Sequence, residues 1–295
     1  MVKFICYNWM PTVADHAIDE SKNFYDNAGA GTLHNHPPFN PSFLEDGDLI
    51  FVKTDYIING MFRDIFLNKI HKDFNLITGI SSYNIGRDGN DSYKDILNHP
   101  KLNKWFCTNP LVENGEMPEK IVPLPIGFEE PRRIGGDQNM LQEVFSNRTP
   151  RYNKEDKILL PYHEFSTNPK RKRLYDNLSR LDFVDVQTDK LPIHEYLKLL
   201  DNYKFVICLE GRGPDVHRNY ESMIVGAIPI NVNPVIQKLF EYYSIEGIFL
   251  ESWESLDQDM YKKILNQNYD LQKNDNFLLL DNHKKFIKKV VKNED

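Results

Sequence analysis

Short apolar runs alternate with longer stretches whose apolar residues recur at three- and four-residue spacing, and this alternation continues along the whole chain. The runs Val2–Asn8, Asp48–Ile57, Phe74–Ser81, Lys104–Asn109 and Lys120–Gly127 are apolar with little period-two alternation. That pattern predicts strands covered on both faces of a parallel sheet. Between Ile57 and Phe74, the residues Phe62, Ile65, Phe66 and Ile70 fall on one helical face, which predicts a strand–helix–strand rhythm. From Glu129 to Asp156 the chain becomes rich in Pro, Gly, Arg and Asn around a short amphipathic stretch, Met140–Phe145. An interdomain connection is expected there. The rhythm then restarts. Strands are predicted at Lys157–His163, Phe183–Thr188, Lys204–Gly211, Ala227–Asn233 and Gly247–Ser252, with helices at Lys170–Leu181, Pro192–Asn202, Arg218–Gly226 and Pro234–Tyr243.

Two α/β halves of similar size predict two Rossmann-like domains facing a central cleft, residues 1–150 and 151–295. The basic, amphipathic C-terminal stretch HKKFIKKVVK predicts a helix packed back on the N-terminal domain. Ligands of such sheets bind beyond the carboxyl ends of the strands.

The 295 residues are 40% AVILMFWYC and 27% DEKR, with 18 Phe and 15 Tyr, enough aromatic material to build a core and to exclude a disordered chain. The net charge of −7 argues against a protein held on nucleic acid through phosphate contacts. No apolar stretch approaches the roughly 20 residues that span a bilayer, and the N-terminus lacks the sustained apolar region of a signal peptide. The three cysteines, Cys6, Cys107 and Cys208, each sit in an apolar run, which predicts buried thiols in a reducing compartment. A soluble, cytoplasmic protein is expected.

The segment Tyr203–Asn233 carries the most chemical information. A strand ends at Leu209, a turn follows through Glu210, Gly211, Arg212, Gly213 and Pro214, Asp215 is a plausible N-cap, and a helix begins near Val216 and stops at Gly226. A strand, a glycine-bearing turn and a helix start together form an anion site, because free N–H groups and the positive dipole end point outward. Arg218, in the first turn, suits a diphosphate because a guanidinium donates in a fork. Glu221, one turn on, could accept both hydroxyls of a ribose. A solvated Arg–Glu pair at a helix start would show the same spacing.

Gly211, Gly213, Asp215, His217, Arg218, Glu221, Gly226 and Pro229 stand where the strand–turn–helix motif of exostosin-like glycosyltransferases has them, and the segment resembles that family. DLIFVKTDYI, FNLITGIS, KWFCTNP and KIVPLPIGFEEP resemble its N-terminal strands. The resemblance implies the two-Rossmann architecture called GT-B and a nucleotide-diphosphate sugar, mostly UDP-linked. It also implies inversion at the anomeric centre without a metal. By resemblance Arg218 binds the pyrophosphate and Glu221 the ribose. Where the family often carries an acid, this chain has Ser82, so that role falls elsewhere, with Asp88 or Asp91 as candidates. Arg171 and Arg173, after the loop YHEFSTNP, resemble an Arg-x-Arg of fucosyltransferases of the same architecture, and they also read as a solvated basic helix start.

An inverting transfer needs a base for the acceptor hydroxyl and a partner for the departing diphosphate. Asp55, at the end of the second strand, is the first candidate base, followed by His16 and then Asp15 in the loop expected after the first strand. No metal is expected. His34 and His36 lack a third ligand at fixed spacing, and Asp46-Gly47-Asp48 precedes a strand and reads as a β-turn. The turn before Arg218 lacks the ending of a P-loop. The expected function is transfer of a sugar, xylose first, from a UDP-sugar to a glycan hydroxyl, with no cofactor beyond the donor. A GDP-fucose-dependent fucosyltransferase and a non-catalytic nucleotide- or carbohydrate-binding protein are the alternatives.

Overall fold

The computed structural model describes residues 2–18, 39–89 and 91–292. His34 and His36 lie outside them. The chain divides into two compact units: Tyr7–Ile126 with Asp281–Asp295, and Met1–Cys6 with Gly127–Leu280. It therefore passes between units at residues 6–7, 126–127 and 280–281 rather than at one linker.

Among the described residues, the unit built on Tyr7–Ile126 holds five parallel strands in consecutive order, β1 (His16–Ile18), β2 (Asp48–Lys53), β3 (Phe74–Gly79), β4 (Leu102–Thr108) and β5 (Ile121–Leu124). β3 is buried at all six positions, Asn75 and Thr78 included, as expected of a strand covered on both faces. Ile50, Val52, Leu76, Trp105 and Cys107 project to one face and meet Ile57, Phe62, Leu67, Ile70 and Ile96 of the intervening segments. Those segments include the short helices Thr54–Ile58 and Met61–Ile65 in place of one longer helix. Gly60, at φ +83°, breaks the helical run between them.

Two expectations for the N-terminus change. Val2–Asn8 is not a strand of this sheet. Within it Phe4 and Cys6 make isolated bridges to Leu279 and Phe128. The Phe4 ring packs edge-on to Phe128, 6.1 Å away, and the Phe128 N–H donates to the Ile5 carbonyl at 2.9 Å. Phe4, Ile5 and Cys6 are thus buried within the C-terminal unit, to which they belong. The first strand is instead His16–Ile18, so Asp15 and His16 open a strand rather than follow one.

The C-terminal unit also holds five parallel strands: β6 (Glu155–Leu160), β7 (Val184–Val186), β8 (Tyr203–Ile207), β9 (Ile228–Asn231) and β10 (Ile248–Phe249). Their spatial order is β7–β6–β8–β9–β10, which reverses between β6 and β8. Ile158, Leu160, Phe205, Ile207 and Leu209 face one side and pack with Tyr175 and Leu178 of the helix Lys170–Leu178. On the other side Cys208 reaches Ser222 of the helix His217–Ile224, with Sγ and Oγ 3.7 Å apart. The helices after β6 and β8 therefore leave the sheet on opposite faces. The carboxyl ends of β6 and β8 part there, opening the crevice typical of doubly wound sheets.

All three cysteines are free and buried. Burial pushes the Cys6 and Cys208 thiols up to about 12, so both stay protonated and unreactive. Among the described residues no helix is long and apolar enough to cross a membrane.

Candidate functional site

The turn after β8 and the helix His217–Ile224 stand at the order reversal. The helix stops as its sequence requires. Gly226 adopts φ +76°, its N–H reaches the Met223 carbonyl at 2.9 Å, and the Ala227 N–H reaches the Ser222 carbonyl at 2.9 Å. Its start differs from expectation. Val216 occupies the N-cap position and no side chain caps the helix. Asp215 turns inward, accepting from Asn219 Nδ2 at 3.0 Å and from the Tyr220 hydroxyl. Asn219 Oδ1 in turn accepts from Asn231 Nδ2 at 3.1 Å. The carboxylate is buried, and burial of a charge requires such partners. With no capping carboxylate, the first-turn amides and the positive helix end remain suited to an anion.

Arg218 is half-buried in that first turn. Its Nε donates to the Tyr196 hydroxyl at 2.9 Å and its Nη2 to the Tyr162 carbonyl at 2.9 Å, while Nη1 makes no hydrogen bond to a described residue. Tyr162 lies in the loop after β6, and Tyr196 on the helix Ile193–Leu200. The Tyr196 hydroxyl donates to Glu221 Oε2 at 3.0 Å. Burial holds the Tyr196 phenol well above the usual tyrosine value, so it stays protonated and can donate. The structure thus brings Arg218 and Glu221 together through a residue that the sequence reading did not single out. Tyr196 sits among ordinary amphipathic positions of its helix, and no local pattern marks it.

Arg171 is buried and faces the same loops. Nε donates to the Glu210 carbonyl (2.6 Å), Nη1 to the Glu164 carbonyl and Thr167 Oγ1 (both 2.9 Å), and Nη2 to the Leu209 carbonyl (3.0 Å). Burial first, and then repulsion from Arg218, lower its pKa to about 10. Arg173 is exposed. Gly211 packs under the Arg171 guanidinium, where a Cβ would come within 3.3 Å of Nη2. Gly213 is buried, and its carbonyl accepts from the Gly211 N–H at 3.2 Å. Arg212 is exposed on the turn, and His217 Nδ1 donates to the Gly127 carbonyl at 2.7 Å.

His163, beside Tyr162, is buried and donates from Nδ1 to the Pro161 carbonyl at 2.6 Å, leaving Nε2 buried with no hydrogen-bond partner among the described residues. Burial, with Arg218 and Arg171 adding repulsion, drives its pKa well below the ordinary histidine value, so the ring is neutral. A separate open cavity of about 500 Å³ is lined by Arg132, Arg133, Asn139, Glu143 and His194 and includes none of these residues.

In the other unit the three candidate bases part company. Asp55 stands past the carboxyl end of β2, where its Oδ2 is buried, makes no hydrogen bond to a described residue and lies 3.7 Å from the Lys53 ammonium. Asp15 and His16 sit at the opposite end of the strands. Asp15 Oδ2 accepts the Leu49 N–H at 2.9 Å, and His16 Nε2 pairs with Asp48 Oδ2 at 2.8 Å. The segment Asp46-Gly47-Asp48 forms a turn, with the Asp48 N–H reaching the Glu45 carbonyl at 3.3 Å.

No family model matches the chain, an exostosin-like one included, and no curated protein matches it. Among solved structures the chain is similar to one titled as the crystal structure of an alpha1,3-fucosyltransferase. The TM-score is 0.37 at 11% identity, over 95% of this chain and 89% of that one.

Proposed function

We propose that the protein is a glycosyltransferase that takes its sugar from a nucleotide-diphosphate donor and places it on a glycan hydroxyl. One relationship supports this reading above the others. Arg218, with Nη1 uncommitted, projects from an uncapped helix start at the carboxyl end of β8, beside the point where the strand order reverses. A diphosphate there would meet the uncommitted Nη1 of the guanidinium and the helix dipole together, and neither needs a metal ion. Glu221 keeps Oε1 for a ribose hydroxyl while Oε2 is held by Tyr196.

In the proposed step the acceptor oxygen bonds to the anomeric carbon as the bond from that carbon to the diphosphate breaks. The acceptor proton passes to Asp55, and the negative charge gathered on the departing diphosphate is held by Arg218 and the helix start. UDP-xylose is the first donor to try, because the exostosin-like resemblance points to UDP-sugars.

The test is a thermal-shift and calorimetric screen against UDP, GDP and their sugars without added divalent ion. A ligand at 100 times its Kd stabilises the folded chain by about 2.7 kcal/mol. Arg218→Ala should weaken the bound nucleotide about tenfold or more. Stabilisation by GDP alone would point to the fucosyl donor. Tight binding with neither transfer nor hydrolysis would point to a binding protein. Unchanged affinity in Arg218→Ala would remove the phosphate assignment.

A further inference from the structure

We propose that Tyr196 is a positioning residue of the nucleotide site: its hydroxyl stands between Arg218 and Glu221 and keeps them from pairing with each other, so that a nucleoside diphosphate can engage both. This rests on the nucleotide-sugar reading above.

Arg218 and Glu221 are three residues apart on one helix, the spacing at which opposite charges ordinarily pair directly. Among the described residues they do not. The guanidinium Nε and the carboxylate Oε2 each hydrogen-bond to the same phenol oxygen instead, at 2.9 and 3.0 Å. A phenol has one proton to donate and lone pairs to accept with. Here the proton goes to Glu221 and a lone pair takes the Arg218 N–H, so both functions of the hydroxyl are engaged with the two groups that would meet the ligand. The Tyr162 carbonyl fixes Nη2 from the other side. The guanidinium is therefore oriented at two corners with its third, Nη1, left over, and the carboxylate is oriented at one oxygen with the other left over. Without the hydroxyl, the opposite charge one helical turn away is open to each as a partner. A diphosphate would then have to break an Arg–Glu pair before it could bind.

Tyr196→Phe tests this, because it keeps the ring and removes only the oxygen. Affinity for UDP and GDP should fall about tenfold or more, as expected when a hydrogen bond to a charged group is lost, with the melting temperature of the free protein little changed. A second substitution separates positioning from general damage. In Tyr196→Phe combined with Glu221→Gln, the arginine has no carboxylate to collapse onto, so binding should recover part of the loss and the two effects should not add. Wild-type affinity in Tyr196→Phe, or strict additivity in the double variant, overturns the proposal. A readout without nucleotide keeps the two readings apart. The Arg218 Nε–H, identified in the nuclear magnetic resonance spectrum by its absence in Arg218→Lys, should exchange with solvent at least tenfold faster in Tyr196→Phe. If the wild-type protein binds no nucleotide but this acceleration is seen, the donor assignment fails and the positioning role stands. If exchange is equally fast in both proteins, the positioning role fails whatever the ligand proves to be.

Discussion

Arg171 Nε donates to the carbonyl of Glu210 at 2.6 Å, joining the helix after β6 to the turn after β8. The remaining donors of this side chain go to Glu164, Thr167 and Leu209, so one guanidinium holds together the two loops that flank the crevice. Among the described residues it is a clamp of the site, while Arg218 keeps the uncommitted donor.

Arg171→Lys should therefore fail as a substitute, because an ammonium cannot match a planar fork aimed at several carbonyls. We expect a loss of about 2–4 kcal/mol in urea unfolding, since several hydrogen bonds to a charged group disappear at once. Arg173→Lys, on an exposed position, should stay within about 0.5 kcal/mol of wild type. Equal stability of Arg171→Lys and the wild type would show that the clamp contributes nothing.

Asp55 and His16 make opposite predictions because Asp55 follows the carboxyl end of β2, whereas His16 opens β1 and pairs with Asp48 at the other end of β2. Asp55→Asn should lower kcat about 100-fold or more and leave donor affinity nearly intact, the pattern of a lost general base. His16→Gln should alter stability through its lost pair with Asp48 and leave kcat within about twofold, a difference of less than 0.5 kcal/mol in the barrier. Steady-state kinetics on both variants would decide, and a collapse of kcat in His16→Gln with Asp55→Asn active would reverse the assignment.

His163 makes stability depend on acidity. Its folded pKa lies well below the ordinary histidine value of about 6.5, so the unfolded chain takes up a proton first. The stability from keeping this ring neutral is fully present above about 6.5 and is lost as pH falls toward the folded value, by up to about 1.4 kcal/mol per pH unit. The facing charges, Arg218 and Arg171, both oppose protonation. Urea unfolding at several pH values between 7.5 and 5 should show a smaller decline in His163→Gln than in wild type. Parallel declines would mean that other groups carry the acid sensitivity.

Lys154 donates from Nζ to Asp201 Oδ1 at 2.5 Å, and Asp201 also accepts from the Thr149 N–H and hydroxyl. The lysine side chain is 1% exposed and the aspartate 18%. Burial lowers the lysine pKa, with the aspartate opposing it. Removing the acid should hurt more than removing the base. Asp201→Asn leaves a buried ammonium without its counter-charge, held only by neutral carbonyls, and should cost about 3–5 kcal/mol, whereas Lys154→Met leaves a partly exposed carboxylate still bonded to Thr149 and should cost less. Chemical unfolding of the two variants gives the order directly.

The alternation of apolar runs with helical spacing was enough to read two parallel α/β sheets, the strand–turn–helix between Tyr203 and Asn233, and the stop at Gly226. Burial on both faces and a left-handed glycine leave local marks that a residue pattern can carry. Strand order, and with it the reversal between β6 and β8, came only with the fold, because pairing joins residues far apart in sequence and period-two patterning says nothing of which strand lies alongside. The same distance hid the partners. Val2–Asn8 reads as a strand by its apolarity, yet its Phe4 and Cys6 make only isolated bridges to Leu279 and Phe128, and Asp215 reads as a cap by its position yet satisfies its buried charge through Asn219 and Tyr220. Tyr196, 22 residues before Arg218, reaches it only when two helices come together, so its place between the guanidinium and Glu221 belongs to the tertiary structure alone.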